Sequence, residues 1–344
     1  MKIFRKTILL LSILCVLFSC NKDEDEIDGL ISGTVINQEL LDQANIDLAG
    51  YKIAFGDEFD IYMMNPDGSN YKKLTQEGDN SGYVSWSPNG QYIYFASVRG
   101  DNVDSEAWEA YRVNVNTKEL TKISNFDLDV RSLGVSPDGQ TLAISVMTGN
   151  STINENLTQF STNLYTIAMS TLENKLSVGN QIVLSDLTAI QSNPNEDQFW
   201  YEELNWNHDA SNPLLSYTKT WRYDEDDVSY THIYTIKPDG TENTLIINNK
   251  DQPIWSFDNQ KLSFLELDYY DFSDNSIHQI SVTGLSGEIS GGSFSPNGNH
   301  YILFEIGDEN RRAGIAKTNS NTNTGGQFGN TGIYEPRWSP VPIN

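Results

Sequence analysis

Thiol chemistry is almost absent from this chain. Only Cys15 and Cys20 occur in 344 residues. Cys15 lies inside an apolar leader, so no pair remains for a disulfide or a thiolate metal site in the body of the protein, and stability has to come from packing. Positive charge is also scarce: 22 Lys and Arg stand against 47 Asp and Glu, for a net charge of −25. Such a field repels nucleic acid and anionic surfaces and excludes polyanions as partners for the molecule as a whole. Histidine is limited to four positions, His208, His232, His278 and His300. They fall at different places in the pattern described below, which speaks against a shared metal. No Gly-x-Ser-x-Gly elbow, phosphate loop or His-Glu-x-x-His is present. Beyond the leader there is no long hydrophobic run, and after Leu48 no long amphipathic helix.

The leader itself has a basic start, Lys2, Arg5 and Lys6, followed by an apolar stretch from Ile8 to Phe18. It is too short to span a bilayer as a mature helix and reads as a secretory signal. Leu17-Phe18-Ser19-Cys20 resembles a bacterial lipobox, which implies cleavage after residue 19 and acylation of Cys20. The acidic run Asn21–Glu26 then reads as an extended, self-repelling tether. It also resembles the acidic export signal of Gram-negative surface lipoproteins. These resemblances imply an outer-membrane lipid anchor facing the cell surface, with the periplasmic face as the alternative. Residues 20–46 are read as tether and lead-in, including weak helical spacing from Gln38 to Leu48, and residues 47–344 as one domain.

That domain repeats a phrase. Trp86-Ser87-Pro88-Asn89-Gly90 is the clearest copy. Val135-Ser136-Pro137-Asp138-Gly139 and Phe294-Ser295-Pro296-Asn297-Gly298 follow it, and Trp206-Asn207-His208-Asp209 and Trp255-Ser256-Phe257-Asp258-Asn259 are worn copies. A last copy, Trp338-Ser339-Pro340, is followed by only four residues. Pro presets one turn dihedral, and Asn or Asp before Gly tolerates the positive φ of a tight hairpin. Apolar runs such as Tyr92–Ala96 and Leu142–Val146 follow the turns and read as strands buried on both faces. The copies recur about every 40–50 residues, the length of a four-stranded propeller blade. One longer step, from Val135 to Trp206, implies insertions in polar Thr148–Ser161 and in Leu172–Tyr201. The first copy lacks its start and the last lacks its continuation. An all-β, six-bladed β-propeller of four-stranded antiparallel blades follows, its ring closed by Pro336–Pro340 pairing into the blade that begins at Tyr51.

Ile61-Tyr62-Met63-Met64-Asn65-Pro66-Asp67-Gly68, then Lys73-Leu74-Thr75, then Val84–Gly90 resembles the repeat of the TolB-like six-bladed propellers. The resemblance covers about residues 51–344 and implies fold. TolB proteins carry a further amino-terminal domain where this chain shows a short lead-in.

Function is sought where the copies disagree. Loops joining the second and third strands of each blade share one face with the connections between blades, and here they are rich in rings and charges. The expected ligand-binding residues are Trp108, Trp200, Tyr201, Trp221, Tyr223, Asp226, Tyr269, Tyr270 and Arg311. Rigid aromatic area beside orienting polar groups suits a protein or glycan ligand. The repeated tryptophans share one structural position and are read as packing residues. No cofactor is expected; Ca²⁺ is the one cation the acidic loops could attract, although none has the spacing of a calcium loop. The composite expectation is a lipid-anchored, non-enzymatic binding or scaffold module. The alternatives are a lyase or hydrolase with a site in the central channel, and a structural partner in an envelope complex.

Overall fold

A computed structural model describes residues 26–27, 37–57, 59–76, 78–99, 107–126, 128–154, 157–192, 198–223, 228–283, 288–307, 312–317, 325–328 and 332–343. Cys20, Asp226 and Arg311 lie outside the described residues, as does the side chain of Tyr223. The strands form six antiparallel sheets. From the axis outward, the second blade runs Gly78–Trp86, Tyr92–Arg99, Glu109–Asn114 and Leu120–Lys122. The third runs Val130–Val135, Thr141–Asn154, Leu157–Ala168 and Thr188–Gln191. The fourth is Gln198–Trp206, Leu215–Tyr223, Val228–Ile236 and Thr244–Asn248. The fifth is short, Ile254–Trp255, Lys261–Phe264, Asp268–Asp271 and Ser276–Gln279. The sixth is Glu288–Ser295, Gly298–Gly307, Arg312–Lys317 and Gly325–Phe328.

The first blade is composite. Tyr334–Trp338 supplies its innermost strand and pairs with Ile53–Gly56, which continues to Ile61–Met64 and Tyr71–Lys73. The two-residue strand Glu26–Ile27 adds to its outer edge. The ring is therefore closed between the two ends of the domain.

The turn phrase explains why closure works. In the second blade Ser87 Oγ accepts the Tyr92 N–H at 2.9 Å and donates to Asn89 Oδ1 at 2.8 Å, while the Gln91 N–H reaches Asn89 Oδ1 at 3.0 Å. Ser136, Asp138 and Thr141 repeat this set, and so do Ser256, Asp258 and Lys261. The turn needs a left-handed residue, supplied by Gly90 (φ 68°) and Gly139 (φ 69°); in the worn copy Asn259 takes it at φ 59°. Asn is the side chain that best tolerates this region. At the closure the same bond forms without a covalent turn: Ser339 Oγ accepts the Lys52 N–H at 2.9 Å, and the Ser339 N–H donates to Lys52 O at 2.7 Å. Lys52 stands where Tyr92 stands in the second blade. The tail then runs on to Ile343, whose N–H donates to Gly50 O at 2.7 Å.

The core is a set of six seams. Each apolar cluster joins neighbouring blades, as in Ala54, Ile61 and Met63 against Trp86, Phe95 and Tyr111, or Ala143 and Leu164 against Tyr201, Trp206 and Tyr217. Two repeat tryptophans also stitch blades by hydrogen bond. Trp86 Nε1 donates to Arg337 O at 3.2 Å, and Trp206 Nε1 to Gly134 O at 2.9 Å. Gly134 gives the ring room there, since a Cβ would lie 3.3 Å from both the Trp206 ring and Ser85 Oγ and its neighbours would have to give. In the seam between the first two blades, buried Asp60 pairs with Arg99 at 3.0 Å and Lys73 at 2.9 Å.

Three features add to the sequence expectations. The helical spacing forms a real helix, Gln38–Asp47, but it is not part of a free lead-in: Leu41, Ala44 and Leu48 are buried in the seam between the sixth and first blades. Tyr301 Oη donates to Asp47 Oδ2 at 2.8 Å and fixes its end. The polar insertion Thr148–Ser161 lies largely in the paired strands Thr141–Asn154 and Leu157–Ala168. The second insertion holds a short helix, Met169–Ser177, tied to the second blade by an Arg112–Glu173 ion pair.

Candidate functional site

Six innermost strands meet at the axis, so whatever residue type recurs at a given offset is displayed there several times. The axis has a wide mouth on the face of the repeat turns and narrows toward the loop face.

The wide mouth is a cup of about 250 Å³. Its wall is the repeat phrase: Trp86, Trp206, Trp255 and Trp338 with Pro88, Pro137 and Pro340, above Val84, Val135, Leu204 and Ile254. His208 and Phe257 stack at the rim, with centroids 4.0 Å apart and planes 14° from parallel. Burial pushes the His208 imidazole down to about 4, against a weaker opposing bond to a Trp255 backbone group. The ring is therefore neutral at physiological pH. None of the cup-lining residues is acidic, and Arg337 is the only cation among them.

The narrow end is acidic. Three residues before the repeat tryptophan, Glu203 (φ 55°), Gln252 (φ 55°) and Glu335 (φ 47°) adopt left-handed backbone. Around Glu203 and Glu335 three steps on the inner strand oppose two on its partner, from Glu202 to Asn205 against Thr218 to Ser216 and from Tyr334 to Arg337 against Gly56 to Ala54. These are bulges, which re-aim a side chain at the cost of strain. Glu203 Oε2 accepts the Gln252 N–H at 2.6 Å and the Thr218 hydroxyl at 2.5 Å, bridging the fourth and fifth blades. Burial is the main cause that pushes the Glu203 carboxyl up to about 8, and the Asp251 and Glu335 carboxylates add repulsion. Glu202 is raised too, first by burial and then by Glu335, with Arg131 opposing. Two small cavities of about 20 Å³ each flank this waist, and Arg337 borders both of them and the cup.

The residues expected on the loop face do not converge. Tyr201 is 2% exposed and belongs to the seam core. Its neighbour Trp200 is half-buried and, one step along the strand, faces the other side of the sheet. Tyr269 and Tyr270 part in the same way. Tyr269 stacks on His278 and meets Phe294 edge-on, while Tyr270 meets Phe272 and donates to Asn275 Oδ1 at 3.1 Å. Trp108 packs beside the core shared by the second and third blades, and its backbone N–H donates to Asp129 Oδ1 at 3.0 Å.

Trp221 does have company. It stacks on Tyr230 at 5.8 Å, meets His232 edge-on at 4.4 Å and lies 6.4 Å from Phe199. Register places all four on one face of the fourth blade, with Lys219 between them. The Lys219 ammonium sits 4.4 Å from the Phe199 centroid and within 6 Å of Tyr201, Trp221 and Tyr234. Burial lowers its pKa. The base of this comb is sealed against Ala143 and Leu164, and its outer end stays open, with Tyr230 36% exposed.

His208, His232 and His278 lie on a turn, a third strand and an outer strand, in separate aromatic clusters. Among the described residues no three His, Cys, Asp or Glu side chains converge as metal ligands would. Sequence reasoning passed over the cup and the waist. The signal was available: phrase copies on six innermost strands must meet, and a Glu or Gln stands three residues before three of the four repeat tryptophans.

No family model matches the chain. It is 27% identical over 118 residues to the Tol-Pal system protein TolB of Francisella tularensis subsp. tularensis, which is 34% of this chain and 24% of that protein. The chain thus spans about a quarter of the length of the curated relatives it matches. Among solved structures, TolB from Acinetobacter baumannii superposes with a TM-score of 0.60 at 15% identity, over 85% of this chain and 67% of that one. A putative TolB from Agrobacterium tumefaciens gives 0.50 at 15% identity, over 85% and 99%. The fold is that of a TolB-like six-bladed β-propeller. Likeness at this identity carries fold and not activity.

Proposed function

We propose that this chain is a non-enzymatic binding and scaffold module of the bacterial cell envelope. A protein partner is held by the aromatic comb of the fourth blade, Phe199, Trp221, Tyr230 and His232 beside Lys219. The observation that carries the reading is the comb's half-open end. Stacked rings offer rigid contact area at little entropic cost, and such anchors dominate protein interfaces. The relatives named Tol-Pal system protein TolB motivate an envelope complex as the setting. Of the residues expected from sequence, Trp221 stays in the proposed contact. A glycan stacking on the same rings is the competing ligand. In-cell crosslinking of the wild-type chain and of Trp221→Ala/Tyr230→Ala tests the reading. One dominant protein adduct that disappears in the variant supports it; an unchanged adduct pattern refutes the site.

The leader and lipobox support attachment to the outer membrane through acylated Cys20, at the cell surface or, alternatively, on the periplasmic side. Cys20→Ala is expected to move the protein from the membrane pellet to the soluble fraction, and protease accessibility of intact cells separates the two faces.

A second reading has one specific observation behind it. A carboxyl held near 8 beside other carboxylates suits general acid catalysis on the axis. A hydrolase or lyase activity that Glu203→Gln abolishes without unfolding the chain would replace the binding reading.

A further inference from the structure

We propose that the cup on the turn face is a separate binding site for an aromatic ring that carries a carboxylate. The shape argument is the wall. Indoles of four blades, three prolines and the His208–Phe257 stack line a cup of about 250 Å³, with Asn205, Asn207 and Ser293 among its polar groups. That volume suits one ring system with a short acidic arm and is small for a folded segment.

The charge argument is stronger. The chain holds 47 acidic residues, yet none lines the cup. His208 is neutral there, so the site has the single formal charge of Arg337. Three other arginines are matched: Arg99 pairs with Asp60, Arg112 with Glu173, and Arg131 with Asp129. Arg337 has no carboxylate within ion-pair distance among the described residues. Its one side-chain hydrogen bond runs from Nη1 to Pro336 O at 3.2 Å. A guanidinium presents five donors in a fork that fits a carboxylate, so most of its capacity is unspent. Other unsatisfied polar groups lie nearby. Trp255 Nε1, Trp338 Nε1 and Ser293 Oγ, all on residues bordering the cup, are buried without a hydrogen-bond partner. The ring fills the apolar wall, and the acid group meets Arg337 at the floor.

The acid could be a free aryl carboxylate or the carboxyl-terminal aromatic residue of a polypeptide. Both present the same chemistry, and the test separates them. The cup and the aromatic comb lie at opposite ends of the second strand of the fourth blade, so either assignment can fail alone.

The experiment is a titration of the intact chain, read by tryptophan fluorescence and by calorimetry. The probes are indole-3-acetate, its neutral amide indole-3-acetamide, and the tripeptide Ala-Ala-Trp as free acid and as amide. Each acid that fits should bind at least about tenfold more tightly than its amide, the scale of one charge-assisted hydrogen bond. Tighter binding of the tripeptide acid points to a chain terminus, and tighter binding of indole-3-acetate to a small molecule. Arg337→Gln should remove the preference for the acid and leave amide binding as it was, while Arg337→Lys should keep part of it. The Arg337 backbone carbonyl that accepts the Trp86 indole is untouched by either change. Equal binding of acid and amide by the wild-type chain, or no binding of any probe, overturns the proposal without recourse to a variant.

Discussion

The two ends of the propeller axis contrast sharply. At the turn face the copies agree: repeated indoles and prolines line an acid-free cup whose one charge is Arg337. At the loop face they disagree: bulges re-aim Glu203 and Glu335 at a narrow waist, and the aromatic comb grows from one blade alone. The difference follows from geometry. Every blade must turn from its first strand to its second in the same cramped space, so one hydrogen-bonded solution is reused. The loop ends project outward and meet no such constraint. Uniformity at one end therefore reports the ring, and divergence at the other reports freedom to specialise.

The most severe way to break this comparison is to remove residues 332–344. That deletes the innermost strand of the first blade, the Ser339–Lys52 pair and the Ile343 anchor. Cooperative thermal unfolding should vanish, as seen by calorimetry. The comb should matter far less to stability. Trp338→Ala empties a buried seam position, 5% exposed, and should cost about 3–5 kcal/mol. Trp221→Ala, at a half-open site, should cost about 1 kcal/mol or less. Chemical denaturation of both variants tests the contrast, and equal losses would erase it.

The two ends should also differ in pH response. Glu203 has a folded value of about 8, against about 4.3 when unfolded. The folded state thus binds the extra proton, and stability falls as pH rises from about 4.5 to about 8. His208 has a folded value of about 4, against about 6.5 unfolded. Its contribution is present above about 6.5 and is lost as pH falls toward about 4. Glu203→Gln should therefore flatten the alkaline limb of the stability profile, and His208→Phe the acid limb. The smallest effect sharpens the closure itself. Ser339→Ala and Ser87→Ala should each cost about 1 kcal/mol, because the two serines make the same bond to the second strand.

Much of the fold was legible because turn chemistry is local. Pro and Gly or Asn at fixed offsets announce a hairpin wherever they stand, and a last copy with too little chain behind it implied a partner at the other end. What escaped notice lacked a burial pattern. Thr148–Ser161 is polar along the part of the hairpin formed by Thr141–Asn154 and Leu157–Ala168, which left no alternation to see. The helix Gln38–Asp47 seats Leu41 close against Gly326, where a Cβ would fall 2.8 Å from Leu41 Cδ2, and nothing in the helix itself points there. The loop-face residues were grouped by composition. Strand alternation, which the sequence does contain, separates Trp200 from Tyr201 and Tyr269 from Tyr270 onto opposite faces. The cup was overlooked because its tryptophans were judged to be packing residues, which they are. At the axis of a ring the same packing residues also form a wall.

The most direct test of the account is native-state hydrogen exchange across the closure. Ring closure predicts that amides of Tyr334–Trp338 and Ile53–Gly56 exchange together, only through global unfolding, with the protection of the inner strands of the other blades. Protection of Ile53–Gly56 alongside rapid exchange of Tyr334–Trp338 would show an open first blade and contradict it.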